Sequence, residues 1–275
     1  MRYITGDIHG DAEELWHRIS DSGILSGKHI GSFMYDGTPH ADTTDKTVPI
    51  CVIAGDVGIL YGTGKNQHYA SDLHHLMYTQ FKNVLFIVVR GNHDTRYWRD
   101  FMANDNPYDG FAFTMPDRFG ARFMYQKRHP NILYANDSGD LYDIGGKPTL
   151  VIPGAYSIDM QYRIRNGYPY EYAEQLLPDE IDRLTDIAKS VTDEHIDVVS
   201  HTCPHSWYPS ISSTFTSGIG ESTVDSTMEI WLDTIWDEVR DKCDAWYFGH
   251  FHADMDVQDT DGKGRMLFHE IDTMR

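Results

Sequence analysis

The stretch NVLFIVVRGNHD, residues 83–94, decides how this chain is read. Val84 to Val89 is an unbroken apolar run dominated by Val and Ile. A run of that length and β-branched content reads as a strand buried on both faces. It ends in Arg90-Gly91-Asn92-His93-Asp94, which presents an amide oxygen, an imidazole and a carboxylate just beyond the strand.

Working outward, the same design recurs. YIT (3–5) leads into Gly6-Asp7-Ile8-His9, and VPICVIA (48–54) leads into Gly55-Asp56. TLVI (149–152) leads into Pro153-Gly154, IDVVS (196–200) into His201, and DAWYF (244–248) into Gly249-His250-Phe251-His252. Between these runs lie helical patterns: DAEELWHRIS, HYASDLHHLMYTQF, PDEIDRLTDIAKSV and STMEIWLDTIWDEV. The third opens with Pro178-Asp179-Glu180, a helix-start signal with acids in its first turn. Strands alternating with helices predict a layered α/β fold. The tail MDVQDTDGKGRMLFHEI predicts a hairpin around Asp261-Gly262. Residues 26–47 and 204–224, rich in Gly, Ser, Thr and Asp, are expected to be loops, either plain surface connections or lids.

Bulk properties narrow the function. The 275 residues suffice for one large core, with 40% hydrophobic and 24% charged side chains. No apolar run is long enough to span a bilayer, and no signal peptide fits the start, so the chain is expected to be cytoplasmic, away from membranes. Three widely spaced cysteines, Cys51, Cys203 and Cys243, form neither a disulfide framework nor a thiolate zinc site and are expected to be buried thiols. A net charge of −19 argues against binding polyanions.

The chemistry lies at the strand ends. In an extended segment, side chains two apart share a side, so Asp7 and His9 are expected to aim a carboxylate and an imidazole at one point. His250 and His252 repeat the spacing. One such pair signals little. Five strand ends delivering oxygen and nitrogen ligands to the carboxyl edge, where open α/β sheets collect their sites, point to a divalent metal centre.

The ordered blocks Gly6-Asp7-Ile8-His9-Gly10, Gly55-Asp56-Val57-Gly58, Gly91-Asn92-His93-Asp94, the strand-end His201 and Gly249-His250-Phe251-His252 resemble the calcineurin-like metallophosphoesterase superfamily. The resemblance spans residues 6–252, nearly the whole chain. It implies one domain over residues 1–275 with a four-layer sandwich fold, two packed mixed β-sheets flanked by α-helices. It also implies a dinuclear site: Asp7, His9 and His252 on the first metal, Asn92, His201 and His250 on the second, and Asp56 bridging them. Ligands of this type suit Mn, Fe, Zn or Ni, with Mn the expected pair. Two cations about 3.5–4 Å apart can share a water, and the resulting hydroxide is the expected nucleophile for in-line attack on phosphorus. His93, inside a block but outside the ligand set, is the expected general acid. Asp94 either orients His93 or holds the loop.

One departure matters. Protein Ser/Thr phosphatases of this superfamily carry Gly-Asp-x-x-Asp-Arg-Gly in the second block, whereas here Gly55-Asp56 is followed by Val57-Gly58-Ile59-Leu60-Tyr61-Gly62. The acid that would hold the catalytic His and the Arg that would grip phosphate are both missing. Arg90, Arg163 and Arg165 are the candidate substitutes for substrate binding, each of them balanced against ion pairing or a solvated basic patch. The other histidines, 68, 74, 75, 129, 195 and 205, read as surface or packing residues. A small phosphomonoester, phosphodiester or nucleotide is the expected substrate, since no basic track for a polymer is visible. A nuclease on the same metal site and a non-catalytic scaffold are the competing readings.

Overall fold

Strands form where the sequence offers short β-branched runs, and the computed structural model places each of those runs in a sheet. It describes residues 1–24, 34–35, 38–39, 43–44, 48–59, 72–96, 98, 110–157, 159–167, 173–212, 225–258 and 260–275. The first sheet contains β1 (Arg2–Thr5), β4 (Ile50–Ile53), β5 (Leu85–Val88), β6 (Phe111–Phe113), β7 (Met124–Gln126), β8 (His129–Tyr134) and β15 (Ile271–Thr273), in the order β15-β1-β4-β5-β8-β7-β6. The second contains β9 (Asp140–Ile144), β10 (Lys147–Ile152), β11 (Ile196–Ser200), β12 (Cys243–Phe248), β13 (Met255–Asp256) and β14 (Gly264–Met266), in the order β13-β14-β12-β11-β10-β9. A two-stranded pair, β2 (Met34–Tyr35) and β3 (Thr38–Pro39), lies within the expected loop 26–47, most of which is outside the described residues.

Both sheets are mixed. β1, β4, β5 and β8 run parallel in one, as do β10, β11, β12 and β14 in the other, with antiparallel strands at the edges. Alternation then sorts the side chains. Ile4, Val52, Leu85, Ile87 and Leu133 meet Tyr142, Ile144, Val151, Val199 and Tyr247 of the other sheet in a core between the two. The opposite faces are covered by helices. Tyr3, Cys51, Ile53, Phe86 and Val88 pack on α1 (Ala12–Asp21) and on Leu73 and Met77. Leu150, Ile152, Val198, Trp246 and Phe248 pack on α3 (Pro178–Ser190) and α4 (Thr227–Val239) through Leu184, Ala188, Leu232 and Ile235. Helix, sheet, sheet, helix is the four-layer sandwich expected from the blocks.

Local chemistry fixes the helix starts. The Asp11 carboxylate accepts the Glu14 N–H at 2.9 Å to cap α1. Pro178 opens α3, and Glu180 reaches back to the Leu177 N–H at 2.8 Å. At the edge away from the carboxyl strand ends, Arg2 of β1 binds Asp197 of β11 at 2.6 Å, tying one sheet to the other.

Several expectations need refining. The first part of the expected loop 204–224 is helical, over His205–Trp207 and Tyr208–Ile211, because Trp207 and Ile211 are buried against the second sheet; residues 213–224 are outside the described set. The Arg163 region is a helix, α2 (Met160–Asn166), ended by Gly167 in the left-handed conformation at φ 68°. His68 lies outside the described residues, and the helical reading of that segment holds from Asp72, closing as a π-turn over Leu76–Gln80. The tail forms its hairpin, β13 on β14, with Asp261 and Gly262 both at positive φ in the turn. All three cysteines are free and buried. Among the described residues, no helix is long and apolar enough to cross a membrane.

Candidate metal centre

Three neighbouring strands of the first sheet and two of the second point their carboxyl ends at one place. Asp7 and His9 follow β1, Asp56 follows β4, and Asn92 and His93 follow β5. His201 follows β11, and His250 and His252 follow β12. The loops are zipped together by backbone: the Ile8 and His9 N–H groups both donate to Asp56 O, at 3.1 and 2.7 Å, and the Gly249 N–H donates to His201 O at 3.1 Å.

The side chains converge by a different route from the extended alternation expected of them. His9, Asp56, His250 and His252 all sit at positive φ, at 51°, 43°, 71° and 52°. Asp261 is the one other non-glycine residue in that region among those described. Left-handed backbone is uncommon for such residues and clusters where surrounding structure holds a functional geometry. Here it turns each chain sharply enough for a ligand and its neighbour's backbone to face the same centre. The flanking glycines permit close approach rather than unusual φ at two points. A Cβ on Gly91 would lie 2.1 Å from Asp56 Oδ1, and one on Gly249 would lie 2.2 Å from Asp7 Oδ1.

Two groups of donors result. In the first, Asp7 Oδ2 stands 3.5 Å from His9 Nε2 and 3.3 Å from His252 Nε2, and the two imidazole nitrogens are 2.8 Å apart. In the second, Asn92 Oδ1 lies 2.8 Å from His201 Nε2 and 3.1 Å from His250 Nδ1. Asp56 Oδ2 is 3.5 Å from His201 Nε2, and Asp7, Asp56 and His201 offer ligand atoms all within 4.8 Å of one another. Ligands bound about 2.0–2.2 Å from a common cation lie roughly 3–3.6 Å from each other, which matches the spacings of 3.1–3.5 Å, while the two 2.8 Å pairs stand at hydrogen-bond distance. Asp7 Oδ2 fits the same reading: it is buried, faces the two imidazoles at 3.3 and 3.5 Å, and makes no proper hydrogen bond, so it keeps lone pairs for a cation.

The electrostatics agree. Burial alone would raise the Asp7 and Asp56 carboxyls, but His201 beside them holds both well below the usual range. His201 pays the reciprocal part: burial opposes its charge, yet Asp56 and Asp7 raise it to about 9. Its Nδ1 donates to Ala54 O at 2.8 Å, which aims Nε2 at the centre. Burial and the neighbouring His201 push His250 down to about 3, so it presents a free lone pair. Two buried carboxylates, an amide oxygen and imidazoles, which a bound cation would hold unprotonated, are a donor set for divalent ions with no soft ligand.

His93 lies at the rim with its ring Nε2 3.9 Å from Asp56 Oδ2, and its backbone N–H donates to Asp56 Oδ1 at 2.9 Å. Burial lowers its pKa from the usual value, partly offset by Asp56. Asp94 holds the loop: it is fully buried, and its Oδ2 accepts the Gly91 N–H at 2.8 Å. Burial and Asp56 push its carboxyl up to about 7. Of the two roles expected of it, orienting His93 or holding the loop, its hydrogen bond serves the loop.

The arginines separate. Arg90 is 1% exposed and donates to the carbonyls of Glu174 at 2.7 Å and of Gly91 and Asp137, both at 3.2 Å. That corrects its reading as a substrate ligand; it clamps the loops beneath the site. Arg163 is buried, donates to Ser157 Oγ at 3.4 Å, and lies close enough for its charge to act on His93. Arg165 is exposed on the same helix. His205 packs on Tyr208, His195 binds Asp244, and His74 stacks on His129 at 4.4 Å, so none of these joins the centre.

Two supports went unread in the sequence. Phe268 stacks on His252 with centroids 4.6 Å apart, and Asp254 secures its loop by accepting the N–H groups of Phe268, His269 and Glu270 at 2.7, 2.9 and 3.1 Å. Ser157 accepts the Asn92 Nδ2–H at 2.7 Å. Ser157 lies five residues beyond the end of β10, farther than any of the seven ligands lies from its strand, so the strand-end pattern stops short of it.

A model of calcineurin-like phosphoesterases matches residues 3–254. No curated protein matches the sequence. Among solved structures, the chain is similar to a phosphopantetheinyl hydrolase from Mycobacterium tuberculosis at 11% identity, with a TM-score of 0.42, over 97% of this chain and 87% of that one.

Proposed function

The chain belongs to the calcineurin-like phosphoesterase family, and from that premise we propose that it is a dinuclear metal-dependent hydrolase of a small phosphomonoester, phosphodiester or nucleotide. The observation that supports this reading is the gathering of Asp7, His9 and His252 in one group and of Asn92, His201 and His250 in another, with Asp56 beside His201. Bound there, a pair of divalent cations would activate a water and polarise the phosphoryl oxygens.

The chain's own residues do the rest. Asp7, His9 and His252 would hold one ion, Asn92, His201 and His250 the other, and Asp56 both. His93 faces the reacting phosphoryl group from the rim. A phosphate dianion beside it raises its proton affinity in the same sense as Asp56 does, so that it protonates the leaving oxygen. Arg163 is the cation assigned to the phosphoryl oxygens in place of the Arg missing after Asp56. The net charge of −19 supports a small substrate, because it disfavours a polymer of phosphates.

Hydrolysis of an aryl phosphate and of a bis-aryl phosphate, each with Mn, Fe, Zn and Ni, tests the proposal and separates monoesterase from diesterase. Activity lost in Asp56→Ala and in His93→Ala supports it. A folded chain that holds two ions and cleaves neither ester counts against it, and cleavage confined to DNA or RNA would favour the nuclease.

A further inference from the structure

An asparagine is a metal ligand only if its oxygen, and not its NH2, faces the ion. The two ends are nearly isosteric, so something must select between them. Around Asn92, the groups that do so lie far away in sequence. Ser157 Oγ takes the Nδ2–H at 2.7 Å, with Ser157 1% and Asn92 2% exposed.

A hydroxyl could equally donate toward an amide oxygen and reverse the choice. Its other neighbours forbid that. Arg163 Nη1 donates to the same Oγ at 3.4 Å. The Glu174 carboxylate, 2% exposed, accepts the Ser157 N–H at 2.6 Å, and its buried Oε2 has no hydrogen-bond partner of its own. A hydroxyl has two lone pairs and one proton: guanidinium and amide donors take the lone pairs, and the carboxylate beside it draws the proton away from Asn92. Glu174 is in turn fixed by Arg90, which donates to its carbonyl at 2.7 Å and accepts the Gly154 N–H at 2.9 Å.

We infer that Ser157, polarised by Glu174 and Arg163, is a positioning residue that turns Asn92 Oδ1 toward His201 and His250 and thereby completes the second ion's site. The inference rests on the dinuclear reading above and adds two residues outside every block that suggested it. Outer partners of this type are worth about 10–100-fold in metal affinity.

The test is Mn binding to the full-length chain by calorimetry, with electron paramagnetic resonance to distinguish a coupled Mn pair from an isolated ion. Ser157→Ala is expected to weaken one of the two ions by about 10–100-fold, leave the other within about twofold, and convert the coupled signal to an isolated one. In an Asn92→Ala background, adding Ser157→Ala should change the remaining ion by less than about twofold, because the amide through which it acts is gone. Glu174→Gln, which leaves the hydroxyl in place, should weaken the same ion and spare the other, and it keeps the inference open to test if Ser157→Ala does not fold. Native binding of both ions by the variants, equal loss of both, or an undiminished effect in the Asn92→Ala background overturns the inference while the wild-type pair leaves the dinuclear reading standing. A wild-type chain that binds no pair of ions overturns both.

Discussion

Gly249→Ala should disable the centre although it changes no ligand. The added Cβ would lie 2.2 Å from Asp7 Oδ1 and 3.1 Å from Ala54 O. Ordinary contact begins near 3.4 Å, so the Asp7 carboxylate must retreat by about 1.2 Å or the loop must open by as much. Metal sites tolerate errors of roughly 0.2 Å in their ligands. The same oxygen accepts the His250 N–H at 3.0 Å, so moving Asp7 also disturbs a residue of the second group. Loss of one well-placed ligand on this scale predicts at least about 10–100-fold weaker metal binding and a comparable fall in kcat/KM. Overpacking costs about 1–3 kcal/mol in fold stability, which leaves a folded protein to measure. Calorimetric Mn titration, with a thermal melt of the same sample, is the assay. A folded Gly249→Ala variant that binds two ions with wild-type affinity would refute the placement of Gly249 against Asp7.

His93→Ala should lower kcat by about 10²–10⁴-fold while both ions stay bound, which metal analysis beside steady-state kinetics will show. Phe268→Ala removes the ring stacked on His252 and should weaken one ion about tenfold, read by the same titration. Arg96→Met should destabilise the fold by about 3–5 kcal/mol in urea melts, because it leaves the Glu180 carboxylate, which Arg96 grips at 2.6 and 2.8 Å, with neutral donors and no countercharge. That pair also sets an acid limb. Burial would raise Glu180, but Arg96, the Leu177 N–H and Ser138 win and hold it down at about 2. Its contribution is therefore complete above its ordinary value near 4.5 and disappears as pH falls toward about 2. Urea melts at pH 5 and pH 3 should show wild type losing stability that an Arg96→Met, Glu180→Leu double variant does not lose.

How much of this was legible in the sequence follows from how local each signal is. The central parallel strands are apolar on both faces, so β4 and β5 stand out as unbroken runs and β11 and β12 as runs broken by one Asp each, and the ligands one to four residues beyond them are legible with them. β6 to β9 carry no such run. β8 begins His129-Pro130-Asn131, and Asn131 is buried only because its amide bonds the carbonyls of Met77, Phe81 and Val84, at 2.9, 3.5 and 3.1 Å, contacts that no local pattern announces. The i, i+2 spacing of the ligands was legible, whereas the left-handed backbone that makes them converge was not. Nor was the fate of Arg90, whose charge suggested phosphate while its position beneath the loops gives it carbonyls. Ser157 and Asn92 are 65 residues apart, and only the packing of one sheet on the other brings them together.

The most direct measurement is anomalous X-ray scattering from crystals grown with Mn. The account predicts two peaks, one among Asp7, His9 and His252, the other among Asn92, His201 and His250, with the Asp56 carboxylate touching both. One ion alone, or ions bound away from these side chains, would contradict it.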